Sequence, residues 1–233
     1  KQTNFRSRHS KRWNPGRTQG FEWCHLHRFV LFCFELLERK TMVAKGKGKG
    51  RHGDTFLGEK LAFYQSYHNN PWNKIIHVIC IPLIVWAVLV WFCLVEVKVP
   101  VLDKEINLGM ATTIAYSVMY TLADYSAGLT WVVFIGAPLY TVAMEAATAM
   151  EAKTASLWAL AAFVFGFWVQ IHAGHMVFEK RKPALMDGFA EAMLSAPLFV
   201  WLEIIFFFGF KKELQEEVEH KAAKLIASYE KQS

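Results

Sequence analysis

His68, His77, His172 and His175 are the residues best suited to chemistry here, because each lies at the end of a long apolar run, where an ionisable side chain is costly. The first pair stands in Tyr64-Gln-Ser-Tyr-His68-Asn-Asn-Pro-Trp-Asn73-Lys-Ile-Ile-His77, the second in Gln170-Ile-His172-Ala-Gly-His175-Met-Val-Phe-Glu179. Neutral imidazole is the commonest metal ligand, so two histidine pairs at helix ends point to a His-bound redox metal in a membrane enzyme. A single histidine at a helix end is as often a cap or an interfacial contact. Four of them, with Asn73 and Glu179 on the same stripes, favour a site.

The elements that must position them follow from the sequence around them. On an unbroken helix the nine residues from His68 to His77 turn through about 900° and place the rings on opposite faces. Asn69-Asn70-Pro71 breaks the helix, however, and Asn at the cap with Pro at the first position restarts it. His68 can then fold back toward Asn73 and His77, which are four apart and aligned. His172, His175 and Glu179, spaced three and four apart, predict one stripe of an α-helix, with Glu179 orienting His175 or pairing with a nearby cation. Lys180-Arg181-Lys182-Pro183 ends that helix at a membrane surface, basic residues there favouring the cytoplasmic side. Lys211-Lys212, past the next run, argues for the opposite side unless that run is re-entrant.

Hydrophobic residues make up 54% of the 233 and are gathered into blocks. Five apolar runs stand out, 75–97, 108–122, 127–147, 155–178 and 189–210; all but the second reach the roughly 20 residues that a spanning helix needs. The fold class expected is all-α, a polytopic membrane bundle of four or five transmembrane helices over residues 54–210. Its first helix, over 54–67, is expected to lie on the membrane surface, and a soluble amphipathic helix over 211–233 follows the bundle. Glu203, inside the last apolar run, calls for a His or Lys partner, and Asp124 for a turn between the second and third runs. Tyr64 and Tyr67 suit an interface.

Charge is uneven. Residues 1–53 hold 13 Lys or Arg against three Glu, a net of +10, so the remainder carries −4 of the overall +6. The basic balance belongs to a disordered leading segment, and no basic stripe in the body suggests nucleic acid. Residues 1–41 read as upstream sequence before a start at Met42, or else as a targeting segment. Cys24, Cys33, Cys80 and Cys93 have neither zinc-knuckle nor disulfide-framework spacing.

Three strings carry a family resemblance. Tyr64-x-x-Tyr67-His68-x-Asn70-x-x-Asn73-x-x-Ile76-His77 with Pro82, Gly174-His175-x-x-Phe178-Glu179-x-Arg181-x-Pro183, and Ala196-Pro197-Leu198-Phe199-Val200-x-x-Glu203 resemble the 2-hydroxy fatty acid dioxygenase family. The resemblance implies an Fe(II)-dependent enzyme of the endoplasmic reticulum membrane that uses O2 to shorten a 2-hydroxy fatty acid by one carbon during phytosphingosine breakdown. A targeting role for residues 1–41 would instead place it in a mitochondrial or other organelle membrane. It implies His68, His77 and His175 as metal ligands and catalytic residues together with Glu179, and Tyr64, Asn73, Arg181 and Glu203 around substrate. Family members carry a second histidine directly after the first, where this chain has Asn69, and their glutamine stands one place nearer the Gly-His pair than Gln170. His172, outside the motif, is expected as a fourth ligand from its helical spacing alone. A di-iron hydroxylase, a bis-His haem protein and a non-enzymatic membrane scaffold are the competing classes.

Overall fold

A computed structural model describes residues 56–99, 104–180 and 189–230; the basic leading segment and Arg181 lie outside them. The helices are α1 (Phe56–Tyr67), α2 (Pro71–Cys93), α3 (Leu108–Ala123), α4 (Tyr125–Ala149), α5 (Ala152–Glu179), α6 (Phe189–Phe207) and α7 (Lys212–Glu230). A two-stranded antiparallel hairpin, β1 (Glu96–Val99) and β2 (Lys104–Asn107), joins α2 to α3, pairing Glu96 with Asn107 and Lys98 with Glu105. It cuts short the first apolar run, whose helix stops at Cys93 rather than Val97.

Helices α2, α4 and α5, of 23, 25 and 28 residues, are long and apolar enough to cross a membrane. Their outer faces expose Ile79, Val133, Phe134, Trp158, Phe165 and Trp168, the surface that a bilayer solvates. Helix α3 has 16 residues, about 24 Å, shorter than the hydrocarbon core of about 30 Å. Three of its hydroxyls are satisfied within the helix, because Thr113, Ser117 and Thr121 each donate to the carbonyl four residues earlier.

The helices pack by small residues at one end and by aromatics at the other. Ala87, Ala143, Ala155 and Ala159 are fully buried where α2, α4 and α5 meet, which lets their backbones approach closely. Gly128 of α4 packs so near the Thr121 backbone of α3 that no Cβ would fit. Toward the other end, Tyr120, Trp131, Leu198, Phe199 and Leu202 form a second cluster, into which Tyr64 of α1 and Val218 of α7 also reach. The C-terminal helix docks on α1 through one face, where Val218 and Ala222 are its buried residues.

Helix direction places several chain landmarks together. α2 descends from Pro71; α3 starts against its lower end, where Gly109 meets Cys93, and ascends. α5 ascends beside α2, Gly166 against Ile84 and Glu179 against Asn69 and Asn70. α6 also ends at the top, since Glu203 pairs with Lys74 at 2.9 Å, and Lys211 just beyond it pairs with Asp124 at 2.7 Å. The upper ends of α5 and α6 thus coincide. The last apolar run, expected to span, enters and leaves from one side, and the chain then bends by 116° into α7. Gly209 and Lys211, both at positive φ, make that bend.

Pro197 explains how α6 is held inside the bundle. Proline lacks the N–H that would bond the carbonyl four residues back, which is that of Met193. The Tyr116 hydroxyl donates to this carbonyl at 3.4 Å, and the Tyr120 hydroxyl to the Leu194 carbonyl at 2.8 Å.

Candidate metal centre

His68 follows the last residue of α1, so its backbone does not continue the helix and the Tyr64 carbonyl is left without its usual partner. The imidazole takes that place: Nδ1 lies 2.7 Å from the Tyr64 oxygen, and the Tyr64 ring stacks on it at 4.0 Å. Asn70 caps α2 through the Trp72 amide at 2.9 Å, with Pro71 behind it, as the sequence indicated. One turn on, His77 Nδ1 sits 2.9 Å from the Asn73 carbonyl. Carbonyls only accept, so both Nδ1 atoms carry the proton and both Nε2 atoms present lone pairs.

Those two lone pairs face each other across 3.2 Å. His175 completes the cluster, its ring 4.9 Å from that of His68 and 5.2 Å from that of His77, with Nδ1 buried and unpartnered. One nitrogen from each ring lies within 4.8 Å of the others, so the three could hold a metal ion. The arrangement fits a cation on physical grounds: opposed lone pairs repel unless a positive charge sits between them. Nitrogens bound at about 2.1 Å and at right angles stand about 3 Å apart. All three rings are buried, and burial, with His77 beside it, holds His68 well below the ordinary imidazole range, hence neutral and able to ligate. Three rings in mutual contact leave no space for a porphyrin between two of them, which removes the haem alternative.

His172 does not join them. It is exposed, its Nδ1 3.2 Å from the Trp168 carbonyl and its ring stacked on Trp168 at 4.8 Å. The cause is that α5 is π-helical from Gln170 to Glu179. At about 4.4 residues per turn, positions three apart are separated by roughly 245°, whereas positions four apart nearly align. His175 and Glu179 therefore stay on the inner face, and His172 is rotated toward the lipid.

Glu179 serves the framework. Its carboxylate accepts from the backbone amides of Asn69 (2.9 Å) and Asn70 (3.0 Å) and from the Asn73 side-chain amide (3.1 Å), clamping the end of α5 to the start of α2. Gly174 belongs to the same clamp, since a Cβ there would collide with Asn73 Oδ1. Glu203 lies outside the cluster in its ion pair with Lys74, the partner that a carboxylate inside an apolar run demands. Lys74, adjacent to Asn73 and three residues before His77, carries a sequence signal in that spacing, and its ion pair with Glu203 gives the signal its meaning. Tyr64 is buried; burial, with the Glu203 and Glu179 charges adding, pushes its phenol far above the ordinary range, so it stays protonated.

Below the cluster an apolar cavity opens. The three histidines and Tyr64 form its head; Ile81, Ile84 and Val88 of α2 and Met193 and Pro197 of α6 line its walls. Gln170, which also lines it, turns its amide back to the Gly166 carbonyl at 3.3 Å and offers the cavity little polarity.

Fold and site define a polytopic membrane protein with a three-histidine centre at the head of an apolar cavity. A family model described as "2-hydroxy-palmitic acid dioxygenase Mpo1-like" matches residues 55–208, and the chain belongs to that family of oxidoreductases. A relative, 2-hydroxy-palmitic acid dioxygenase MPO1 of Saccharomyces cerevisiae, is 31% identical over 165 residues, 70% of this chain and 88% of its own. No solved structure matches the chain.

Proposed function

We propose that this protein is an Fe(II)-dependent dioxygenase that converts a long-chain 2-hydroxy fatty acid to the acid one carbon shorter, in the endoplasmic reticulum membrane. The observation that carries the reading is the convergence of three buried imidazole nitrogens at the head of an apolar cavity, in a chain of this family. The overall change balances as hydroxy acid plus O2 giving the shortened acid, CO2 and water. It calls for a redox metal with open positions and a site shielded from bulk water.

His68, His77 and His175 would hold the iron, which supplies the redox chemistry that O2 requires and positions for the carboxylate and hydroxyl oxygens of substrate. The protein's own contribution is preorganisation. The Tyr64 and Asn73 carbonyls fix two tautomers with Nε2 free, and Glu179 holds the two helix ends in register. The apolar walls keep water from the head group and accept the acyl chain. Tyr64, protonated and stacked on His68, bounds the head of the cavity where substrate oxygens must lie.

The test is iron content and product measured together. Purified protein given a 2-hydroxy C16 acid, Fe(II) and O2 should release the C15 acid, and His77→Ala should lose both iron and product. Bound iron without the shortened acid would assign the centre to another oxidation; absence of both would leave a scaffold.

A further inference from the structure

We infer that the cavity is a molecular ruler for the acyl chain: the whole hydrocarbon tail lies inside the bundle, and the residues closing the cavity's lower end set the preferred length. This rests on the dioxygenase reading and adds to it the position and limit of the chain. The cavity follows one face of α2 from His77 through Ile81, Ile84 and Val88 to Leu89. Twelve residues of helix at 1.5 Å each make it about 18 Å long. Its lowest lining residues on α2 are Val88 and Leu89, and because Gly109 meets Cys93 at the base of α3, Thr112 and Thr113 stand one turn above that contact, opposite them. Around this end packs the alanine cluster, with Ala87, Ala143, Ala155 and Ala159 fully buried.

An extended hydrocarbon with bonds of about 1.52 Å at tetrahedral angles advances about 1.25 Å per carbon. With C1 and C2 held at the histidines, 18 Å accommodates about 14 further carbons, a chain of roughly C16. A tail left in the bilayer would meet no such floor, and length would then matter little beyond partitioning. The two arrangements therefore predict different length dependence.

The test uses two floor variants and two readouts in one detergent: kcat/KM over 2-hydroxy acids from C12 to C24, and the thermal stabilisation each acid gives under anaerobic conditions. Wild type should peak near C16. Val88→Phe, which fills the lower cavity, should move the optimum shorter by two to four carbons, with a loss of about tenfold or more at C16. Leu89→Ala, which deepens it, should move the optimum longer. Two variants with opposite predicted shifts separate a ruler from general damage. An unchanged optimum in both, in folded protein, or a wild-type profile flat from C14 to C24, overturns the ruler and places the tail in the bilayer. If wild type converts no acid, the dioxygenase reading fails, and the anaerobic length profile still decides whether the cavity measures chains.

Discussion

His172 and His175 are three residues apart and the same type, yet the structure gives them opposite surroundings. His175 is buried with an unpartnered nitrogen facing two others; His172 stacks on Trp168 at the lipid face. His175→Ala should reduce both metal occupancy and turnover by roughly 100-fold or more, and His172→Ala should leave each within about twofold. Metal analysis beside product formation checks both, and a large loss in His172→Ala would mean that its ring swings inward. Asn70-Pro71 was legible in the sequence because capping is local, and so was His68 turning back toward His77. His172 was misplaced because its reading assumed α-helical spacing. A π-helical stretch is chosen by tertiary fit, here by the clamp of Glu179 on Asn69, Asn70 and Asn73, and one residue's periodicity does not announce it.

Among the elements, the contact of α5 with α2 decides whether the site exists, and Gly174 is its tightest point. An added methyl would strike Asn73 Oδ1, which has no slack: its amide is held by Glu179 and its backbone carbonyl by His77. Gly174→Ala should therefore lower metal affinity tenfold or more without removing any of the three histidines. Gly128→Ala, colliding with the Thr121 backbone at the α3–α4 corner, should cost about 1–3 kcal/mol of stability and leave metal affinity unaltered in folded protein. Iron titration against melting temperature separates the two. That corner also carries Asp124, which caps α4. Burial opposes its ionisation, but the Ala127 amide, the Lys211 ammonium and the Ser126 hydroxyl outweigh it and hold the carboxyl below the usual range. A depressed folded value means that its stabilisation is complete above the unfolded pKa of about 3.9 and is lost as pH falls through the folded one. The melting temperature should fall by a few degrees more between pH 5 and 3 in wild type than in Asp124→Asn.

For the whole molecule, the apolar runs foretold a membrane bundle and the presence of α2, α4 and α5, because about 20 apolar residues leave few other structures available. Hydropathy could not foretell that α6 fails to cross, since a re-entrant helix is as apolar as a spanning one. Its path is fixed by contacts distant in sequence: Glu203 with Lys74, Lys211 with Asp124, Tyr120 with the Leu194 carbonyl. That path removes the conflict between the two basic clusters. Lys180 and Lys211-Lys212 would lie on opposite sides had α6 crossed; with both its neighbours at the histidine end, they lie on the same one. Among the described residues, Lys60, Lys74, Lys180, Lys211 and Lys212 mark this end, whereas the far end has Lys98, Lys104 and Lys153, so the positive-inside bias predicts a cytosolic face for the histidine centre. With Cys24 and Cys33 replaced by serine and Cys80 and Cys93 buried, single cysteines in place of Ser228 on α7 and Glu105 on the hairpin allow a direct check in sealed vesicles with the cytosolic face outward. A membrane-impermeant maleimide should label position 228 without detergent and position 105 only after permeabilisation. Labelling of both from outside would put the hairpin on the same side as the histidine centre and overturn the crossing of α2. The reverse pattern would keep α2 as a crossing helix but turn the histidine centre to the opposite face of the membrane.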